Sequence, residues 1–423
     1  MEPIELIRIV NYAIALVFLG CYAYQLLYIL VPFVRRDKPH QPTKRHRYAV
    51  LISARNESAV IGHLLESIRR QDYPAELVTT FVVADNCTDD TAEVARLGGA
   101  VVYERFNQLQ VGKGYALNFL LQHIRADYGA DAFDGFFVFD ADNLLEPNYI
   151  TEMNKSFSDG YRILTSYRNS KNYGDNWISA GYALWFLREA EYLNHARMLL
   201  GTSCAVSGTG FLFHRDVLAR SNGWNFFLLT EDIEFTVSSI IAGEKVGYCP
   251  TAMLYDEQPT TFRQSWRQRM RWARGYLQVF RRYGGALIRG IFRRHGGFAC
   301  FDMAMSTMPA IALTVISLIA NGVAAFIGLQ HGQEIIVVLQ SAGEALLNSY
   351  LFLLAIGGLT TITQWKNIHT SAVRKVLYTF TFPLFMMTYI PISFAALFRK
   401  VNWTPIEHKV SISIRDLDRT HGT

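Results

Sequence analysis

The chain of 423 residues has room for one catalytic domain of ordinary size and several membrane helices. Its mean hydropathy of +0.11, with 50% hydrophobic and 18% charged residues, leans toward a membrane protein. The net charge of +5 comes with no zinc module, RNP-like motif or sustained basic helix, which excludes nucleic acid as a partner.

Basic residues instead gather beside apolar segments, as at Arg35-Arg36-Asp37-Lys38 and Lys44-Arg45-His46-Arg47, the pattern of a cytoplasmic flank. Five cysteines (Cys21, Cys87, Cys204, Cys249 and Cys300) are odd in number and scattered without a CxxC pair. They read as reduced thiols, with no disulfide framework or zinc site.

Residues 1–36 read as a transmembrane anchor. The apolar stretch from Ile4 to Val34 ends in Pro32-Phe33-Val34-Arg35-Arg36 without a small-residue cleavage site, so a retained helix is expected rather than a signal peptide. Over 45–260 short apolar runs alternate with helical patterns, as in an α/β domain. Ala49 to Ser53 and Thr80 to Ala84 are continuous runs typical of buried parallel strands. Between them Ser58 to Arg70 has helical spacing. A third strand, Gly135 to Phe139, runs straight into Asp140, and in such sheets ligands bind beyond the carboxyl ends of the strands.

Residues 261–296 are rich in Arg and aromatic side chains and predict amphipathic helices lying in a membrane interface, with Trp185 to Leu200 as a second such segment. A C-terminal transmembrane region, 297–398, contains three apolar blocks at 301–329, 335–362 and 376–398. Two spans would bring the basic stretch from Lys366 to Lys375 back to the cytoplasm, but a third would export Arg399, Lys400 and Lys409. The last block, with Pro383 and Pro391, is therefore expected to be broken, re-entrant or interfacial, followed by a tail over 399–423.

Polar residues that stop the strands carry the candidate chemistry. Asp140-Ala141-Asp142 sets two hard carboxylates one residue apart, suited to Mg²⁺ or Mn²⁺ bridging a diphosphate, although the same pattern is ordinary turn chemistry. Asp85-Asn86 ends the preceding strand in the same manner, or else forms an Asx turn capping a helix from Asp90 to Arg96. Lys113 sits between Gly112 and Gly114, which let the backbone approach a ligand while the ammonium meets a phosphate. No Walker A pattern is present.

Thr230-Glu231-Asp232 follows the apolar Phe226 to Leu229, where a carboxylate can be tuned toward general-base duty. The plainer reading is a threonine N-cap with an acidic first turn. In Gln268-Arg269-Met270-Arg271-Trp272, helical spacing puts Gln268, Arg271 and Trp272 on one face. They offer an amide, a guanidinium fork for a diphosphate and an indole for a sugar ring. An interfacial Arg/Trp helix is the alternative, and Arg263, Arg267, Arg274, Arg281 and Arg282 are expected to do only that.

The ordered succession Ala54-Arg55-Asn56-Glu57, Asp85, Lys113, Asp140-Ala141-Asp142, Ser207-Gly208-Thr209-Gly210, Thr230-Glu231-Asp232 and Gln268 to Trp272 resembles the membrane-integrated processive family 2 glycosyltransferases. These include the cellulose, hyaluronan, chitin and poly-N-acetylglucosamine synthases. The resemblance covers Tyr48 to Tyr276, and the membrane part in layout only. It implies a cytoplasmic GT-A type α/β domain that binds nucleotide sugar, joined to interfacial and transmembrane helices in a multi-pass protein of the cell membrane.

By the same resemblance Ala54, Arg55 and Glu57 would lie at the uridine, with Asp85 also at the nucleotide, Lys113 near the diphosphate and Asp140 assisting nucleotide binding. Asp142, with Asp140, would ligate Mg²⁺ or Mn²⁺. Ser207, Gly208, Thr209 and Gly210 would border the acceptor sugar, and Asp232, flanked by Thr230 and Glu231, would be the catalytic base. Gln268, Arg271 and Trp272 would hold the diphosphate and acceptor. A single displacement assisted by one base inverts the anomeric carbon.

The expectation is a processive enzyme that polymerises UDP-glucose or UDP-N-acetylglucosamine into a β-linked polysaccharide and exports it through its own helices, with accessory export proteins as further partners. The rivals are a single-addition glycolipid transferase, resembling ceramide glucosyltransferases, and a non-catalytic export or scaffold subunit. The chain departs from the best-known members in its short length, one apparent span before the catalytic domain and no FxVT pattern after the spans. Trp403-Thr404-Pro405-Ile406-Glu407-His408 lies where a gating loop would fold back toward the site, or is an ordinary anchoring tryptophan and turn.

Overall fold

Apolar strands without alternation need cover on both faces, and a computed structural model puts them at the centre of one sheet. It describes residues 3–330, 335–401, 408, 410 and 412–414. Helix α1 (Pro3–Val34) precedes an alternation of β1 (Tyr48–Ala54), α2 (Ile61–Arg69), β2 (Val78–Asp85), α3 (Thr91–Leu97), β3 (Val101–Arg105), α4 (Lys113–Tyr128) and β4 (Gly135–Asp140). These four strands are parallel, in the order β3-β2-β1-β4. The order reverses at β1, so the carboxyl ends of β1 and β4, where Ser53 lies opposite Asp140, border a crevice.

The chain continues through β5 (Leu144–Leu145), α5 (Tyr149–Ser158), β6 (Ile163–Ser170), α6 (Trp177–Glu189), α7 (Ala196–Leu200), β7 (Phe211–His214), α8 (Arg215–Arg220), α9 (Glu231–Ile241) and β8 (Val246–Asp256). They extend the sheet as β7-β6-β8-β5, with β7 antiparallel to both β4 and β6. Alternate side chains serve opposite faces. Leu51, Phe81, Val83 and Val138 pack with Leu117 and Leu120 of α4. Val50, Ile52, Val82 and Phe137 pack with Ile61, Leu64 and Leu65 of α2.

The helix expected from Ser58 begins only at Ile61, because Glu57 to Val60 close a turn in which the amides of Val60 and Ile61 both donate to the Glu57 carbonyl. The stretch from Trp185 to Leu200 is not a surface helix. Leu184, Leu187 and Ala190 belong to the main core and residues 190–195 form a π-helical turn.

A single helix of 30 residues, α10 (Phe262–Ile291), takes the place of the several interfacial helices expected over 261–296. Arg274 and Arg282 have more than a headgroup role. Arg274 donates to the Ala396 carbonyl at 3.3 Å, and Arg282 pairs with buried Glu234 at 2.9 Å.

Helices α11 (Gly297–Thr307), α12 (Pro309–Gln330), α13 (Ile335–Thr363), α14 (Ala372–Met387) and α15 (Tyr389–Phe398) follow. Among the described residues three stretches are long and apolar enough to cross a membrane, Ile9–Val34, Gly343–Thr363 and Ala372–Phe398. A fourth, Gly297–Thr307 with Ala310–Val323, is bent by 42°. The last block is interrupted at Thr388, between α14 and α15, while the sharp bend lies in the first block.

Both ends of that last block nevertheless touch the rest of the protein on its catalytic side. Arg374 donates to the Gly174 carbonyl at 3.1 Å, while Arg274 receives the end of α15. Between them buried Arg269 donates to the Phe385 carbonyl and the Thr388 hydroxyl at 3.0 and 2.7 Å. Trp403, Thr404, Pro405, Ile406, Glu407 and Lys409 lie outside the described residues.

One buried cluster ties α1 to this frame. Arg197 in α7 forks onto Asp302 in α11 at 2.7 and 2.8 Å, and the hydroxyls of Tyr24 and Tyr28 donate to the same carboxylate at 2.7 and 2.9 Å. Arg197 is 2% exposed and Asp302 fully buried. Asp302→Ala would strand the guanidinium and cost about 3–5 kcal/mol. We expect a large drop in melting temperature in detergent, with the double substitution Arg197→Met, Asp302→Leu recovering much of it; equal losses in both would show that the pair is not the cause.

Candidate active site

A cavity of about 580 Å³ begins at the carboxyl ends of the parallel strands and continues between the helices. Its sheet end is lined by Ser53, Arg55 and Glu57 after β1, Asp85 at the end of β2, and Asp140 and Asp142 after β4. Ala54 is buried in the strand and does not line it. Asp85 is held by buried Arg105 at 2.6 Å, which leaves Asp89, not Asp85 or Asn86, to receive the Thr91 amide at the start of α3. Burial raises the Asp85 carboxyl, with Arg105 opposing it.

Lys113 opens α4. Gly112 before it has φ +135°, and a Cβ on Gly114 would come within 2.0 Å of the Phe226 carbonyl oxygen, so both glycines are required by the path of the chain. The ammonium bridges Asp140 Oδ1 at 2.5 Å and the Gly208 carbonyl at 2.8 Å.

Asp142 is buried and accepts the Glu257 amide on Oδ2 at 2.7 Å. Burial opposes its ionisation, yet the charges of His408, Lys171 and Arg168 hold its carboxyl below the ordinary value. Asp140 and Asp142 are the residues that would hold a divalent cation. Among the described residues no cluster of three His, Cys, Asp or Glu side chains forms a metal cage. Two hard carboxylates fit an ion such as Mg²⁺, which takes the remainder of its shell from water and phosphate oxygens.

Thr230 precedes α9, and Glu231 and Asp232 occupy its first turn. All three line the cavity, facing Gln268, Arg271 and Trp272 on one side of α10. Arg271 donates to the Leu229 carbonyl at 3.2 Å, and Trp272 is braced edge-on by Tyr182 and Phe186. The Gln268 Oε1 and Thr230 Oγ1 atoms are buried without a partner. Burial, reinforced by the Asp232 charge, pushes Glu231 up to about 7. Burial also raises Asp232, against the pull of the Lys113 and Arg271 cations.

Ser207 and Gly208 line the cavity beside Asp232. Thr209 and Gly210 do not. Thr209 receives the Asp140 amide at 2.9 Å and hydrogen-bonds Asn143, while Gly210, at φ +65°, bonds its amide to the Val138 carbonyl behind the strand end. They hold the loop from below.

Several lining residues escaped the sequence reading. Arg168 in β6 and Asp256 at the end of β8 form a buried pair with Nε to Oδ2 at 2.7 Å, and burial raises Asp256 to about 6 despite Arg168. A carboxylate closing a strand is the signal that would have found Asp256. Arg188, Glu189 and Tyr276 also line the cavity. His408 bonds Glu57 at 2.9 Å. Burial works against its charge, but Asp142 and Glu57 override it and push the imidazolium up to about 10.

The far end of the cavity is walled by Phe18, Tyr22 and Gln25 of α1, Met303 of α11, Ile311 of α12 and Tyr389 of α15. One continuous space thus joins the strand ends to the apolar helices.

The amino-acid sequence has informative relatives. Beta-monoglucosyldiacylglycerol synthase of Synechocystis sp. is 27% identical over 244 residues, 55% of this chain and 48% of that one. Poly-beta-1,6-N-acetyl-D-glucosamine synthase of Staphylococcus epidermidis is 24% identical over 247 residues, 55% of each. This chain spans about half the length of the curated relatives it matches. In three dimensions it resembles the mannosyltransferase PcManGT from Pyrobaculum calidifontis, solved in complex with GDP-Man and Mn²⁺, at a TM-score of 0.59 and 18% identity over 91% of this chain and 98% of that one. That likeness shows the expected GT-A-like α/β fold. The family described as "Glycosyltransferase like family 2" matches residues 46–275, more than half of the molecule, with the strand-end residues and Gln268, Arg271 and Trp272 of α10 inside it, and the chain belongs to that family.

Proposed function

We propose that this protein is an inverting hexosyltransferase that moves a sugar from a UDP-sugar onto an acceptor held at the membrane-facing end of the cavity. The observation that carries this reading is the position of Asp232, between the phosphate-side cations Lys113 and Arg271 and the helix-walled space. The acceptor hydroxyl loses its proton to Asp232 as its oxygen attacks the anomeric carbon from the face opposite the nucleotide. The bond from that carbon to the diphosphate breaks, and Arg271 and Lys113 balance the charge that appears on the leaving UDP. Mg²⁺ or Mn²⁺ on Asp142 and Asp140 would supply further neutralisation of the diphosphate. The product would be β-linked from an α-linked donor.

In its fuller form, this reading has the enzyme repeat the transfer and pass a β-linked polysaccharide through its helices. Similarity to a poly-N-acetylglucosamine synthase supports that form. Similarity to beta-monoglucosyldiacylglycerol synthases, and the apolar lining beyond Trp272, support transfer of one sugar to a lipid. Product size separates the two: a smear of long glycan, or one lipid-extractable species.

For the membrane we propose crossings by α1, α12 and α13, with the catalytic domain cytoplasmic and 372–398 lying along α10 without crossing. The contacts at both its ends support this. Cysteines placed at Lys366 and Lys400 in a cysteine-free background should react with an impermeant reagent from the cytoplasmic face, and one at Gln330 from the other. Labelling of Lys400 from the outside would sink the proposal.

The base assignment has a kinetic test. Asp232→Asn should lower nucleotide release in the presence of acceptor by about 10²–10⁴-fold. Because the folded environment raises Asp232, the ionised form is lost as pH falls through a value above the ordinary carboxylate range of roughly 3.9, so the acid limb of the rate should sit above it. Arg271→Gln removes a cation that favours the carboxylate, and the limb should move to higher pH as well as fall in height. A limb that stays in place in Arg271→Gln would argue that another group titrates.

A further inference from the structure

The inner wall of the cavity carries a cation that the transfer chemistry does not use. Arg188, near the end of α6, lines the space on the acceptor side of Asp232. Its guanidinium carbon stands 5.1 Å from the Trp185 ring. Among the described residues it has no hydrogen-bond or ion-pair partner. The neighbouring Glu189 interacts with it electrostatically without closing an ion pair, burial raises the Glu189 carboxyl, and the other nearby cation, Arg197, is taken up by Asp302. Burial depresses Arg188 to about 10, with Glu189 opposing and Arg197 adding to the fall, so it is still protonated at neutral pH. A partly buried guanidinium that closes no ion pair is stabilised by a ligand that supplies a counter-charge.

The surroundings narrow the ligand. Beyond Arg188 the wall carries aromatic and aliphatic side chains, among them Phe18, Leu193, Met303 and Ile311, interspersed with Gln25, Ser306, Thr307 and Thr314, and contributed partly by helices apolar enough to lie in a bilayer. Such a lining matches acyl or prenyl chains better than a hydrated glycan.

We propose that the acceptor is a membrane lipid bearing a phosphate, with the phosphate held by Arg188, the chains lying between α1 and α12, and a hydroxyl or phosphate oxygen reaching the anomeric carbon beside Asp232. This rests on the hexosyltransferase reading and develops its glycolipid form. With a hydroxyl acceptor the O–H proton passes to Asp232; with a phosphate monoester an ionised oxygen attacks directly. In both, the new bond is from the anomeric carbon to oxygen and the bond broken is to UDP.

The test uses the full chain in phosphatidylcholine nanodiscs with radiolabelled UDP-sugar, Mg²⁺ or Mn²⁺, and one of three added lipids: diacylglycerol, phosphatidylglycerol or a polyprenyl phosphate. Label should enter phosphatidylglycerol or the polyprenyl phosphate, which distinguishes the two phosphate sources, in preference to diacylglycerol. Arg188→Met should raise the KM for that lipid by roughly 10–100-fold, the worth of a charge-assisted hydrogen bond, with a smaller change in kcat. Arg188→Lys should recover part of the loss. The lipid should also raise the melting temperature of wild type more than that of Arg188→Met, a readout independent of turnover.

Equal labelling of diacylglycerol, an unchanged KM in Arg188→Met, or long glycan as the sole product overturns the proposal. Lipid-independent UDP release in such a case leaves the hexosyltransferase reading standing. Absence of UDP release with every UDP-sugar overturns both.

Discussion

A guanidinium and a carboxylate buried together in low dielectric cannot be separated without leaving a naked charge, and Arg197 with Asp302 places that constraint where the catalytic domain meets the apolar helices. Tyr24 and Tyr28 satisfy the remaining lone pairs of Asp302, so α1, α7 and α11 are fixed to one another by a single carboxylate. The cavity wall follows from this, since Phe18, Tyr22 and Gln25 lie on α1 and Met303 on α11. Helix α1 is therefore a wall of the cavity as well as a partner of the buried pair.

At the opposite end the sheet exerts a similar discipline. Parallel strands deliver the residues that stop them to one edge, and Asp85, Asp140 and Asp256 all arrive there with a cation of the protein's own: Arg105, Lys113 and Arg168. Opposite charges at this edge balance one another before any substrate is present. In the proposed reaction an arriving nucleotide diphosphate would compete with Asp140 for Lys113, giving the lysine two partners without any change of backbone.

The order of the strands was not legible, whereas the three central strands and the residues that stop them were, because period and strand length are local properties. Gln268, Arg271 and Trp272 share a face for the same reason. What escaped depends on distant partners. His408 meets Glu57 across 351 residues, Arg168 meets Asp256 across 88, and Arg274 meets the end of α15 across 122. Thr209 and Gly210 were read as acceptor contacts because they adjoin Ser207 and Gly208. The bend before β7 instead turns Thr209 onto the Asp140 amide and Gly210 onto the Val138 carbonyl. The segment from Trp185 to Leu200 has an interfacial composition, but Arg197 is buried against Asp302, which comes later in the chain, and no local pattern announces that.

The late arrival of α15 and the tail has a consequence for biogenesis. Tyr389, Ser393 and His408 line a cavity whose other walls were synthesised up to several hundred residues earlier. Domains fold as units while the chain is still emerging, so the sheet and its carboxylates can assemble on the ribosome well before the space beside Asp232 is enclosed. A nascent chain arrested before α15 would carry every acid of the site and yet lack the enclosed chamber that Tyr389 and Ser393 complete beside Asp232.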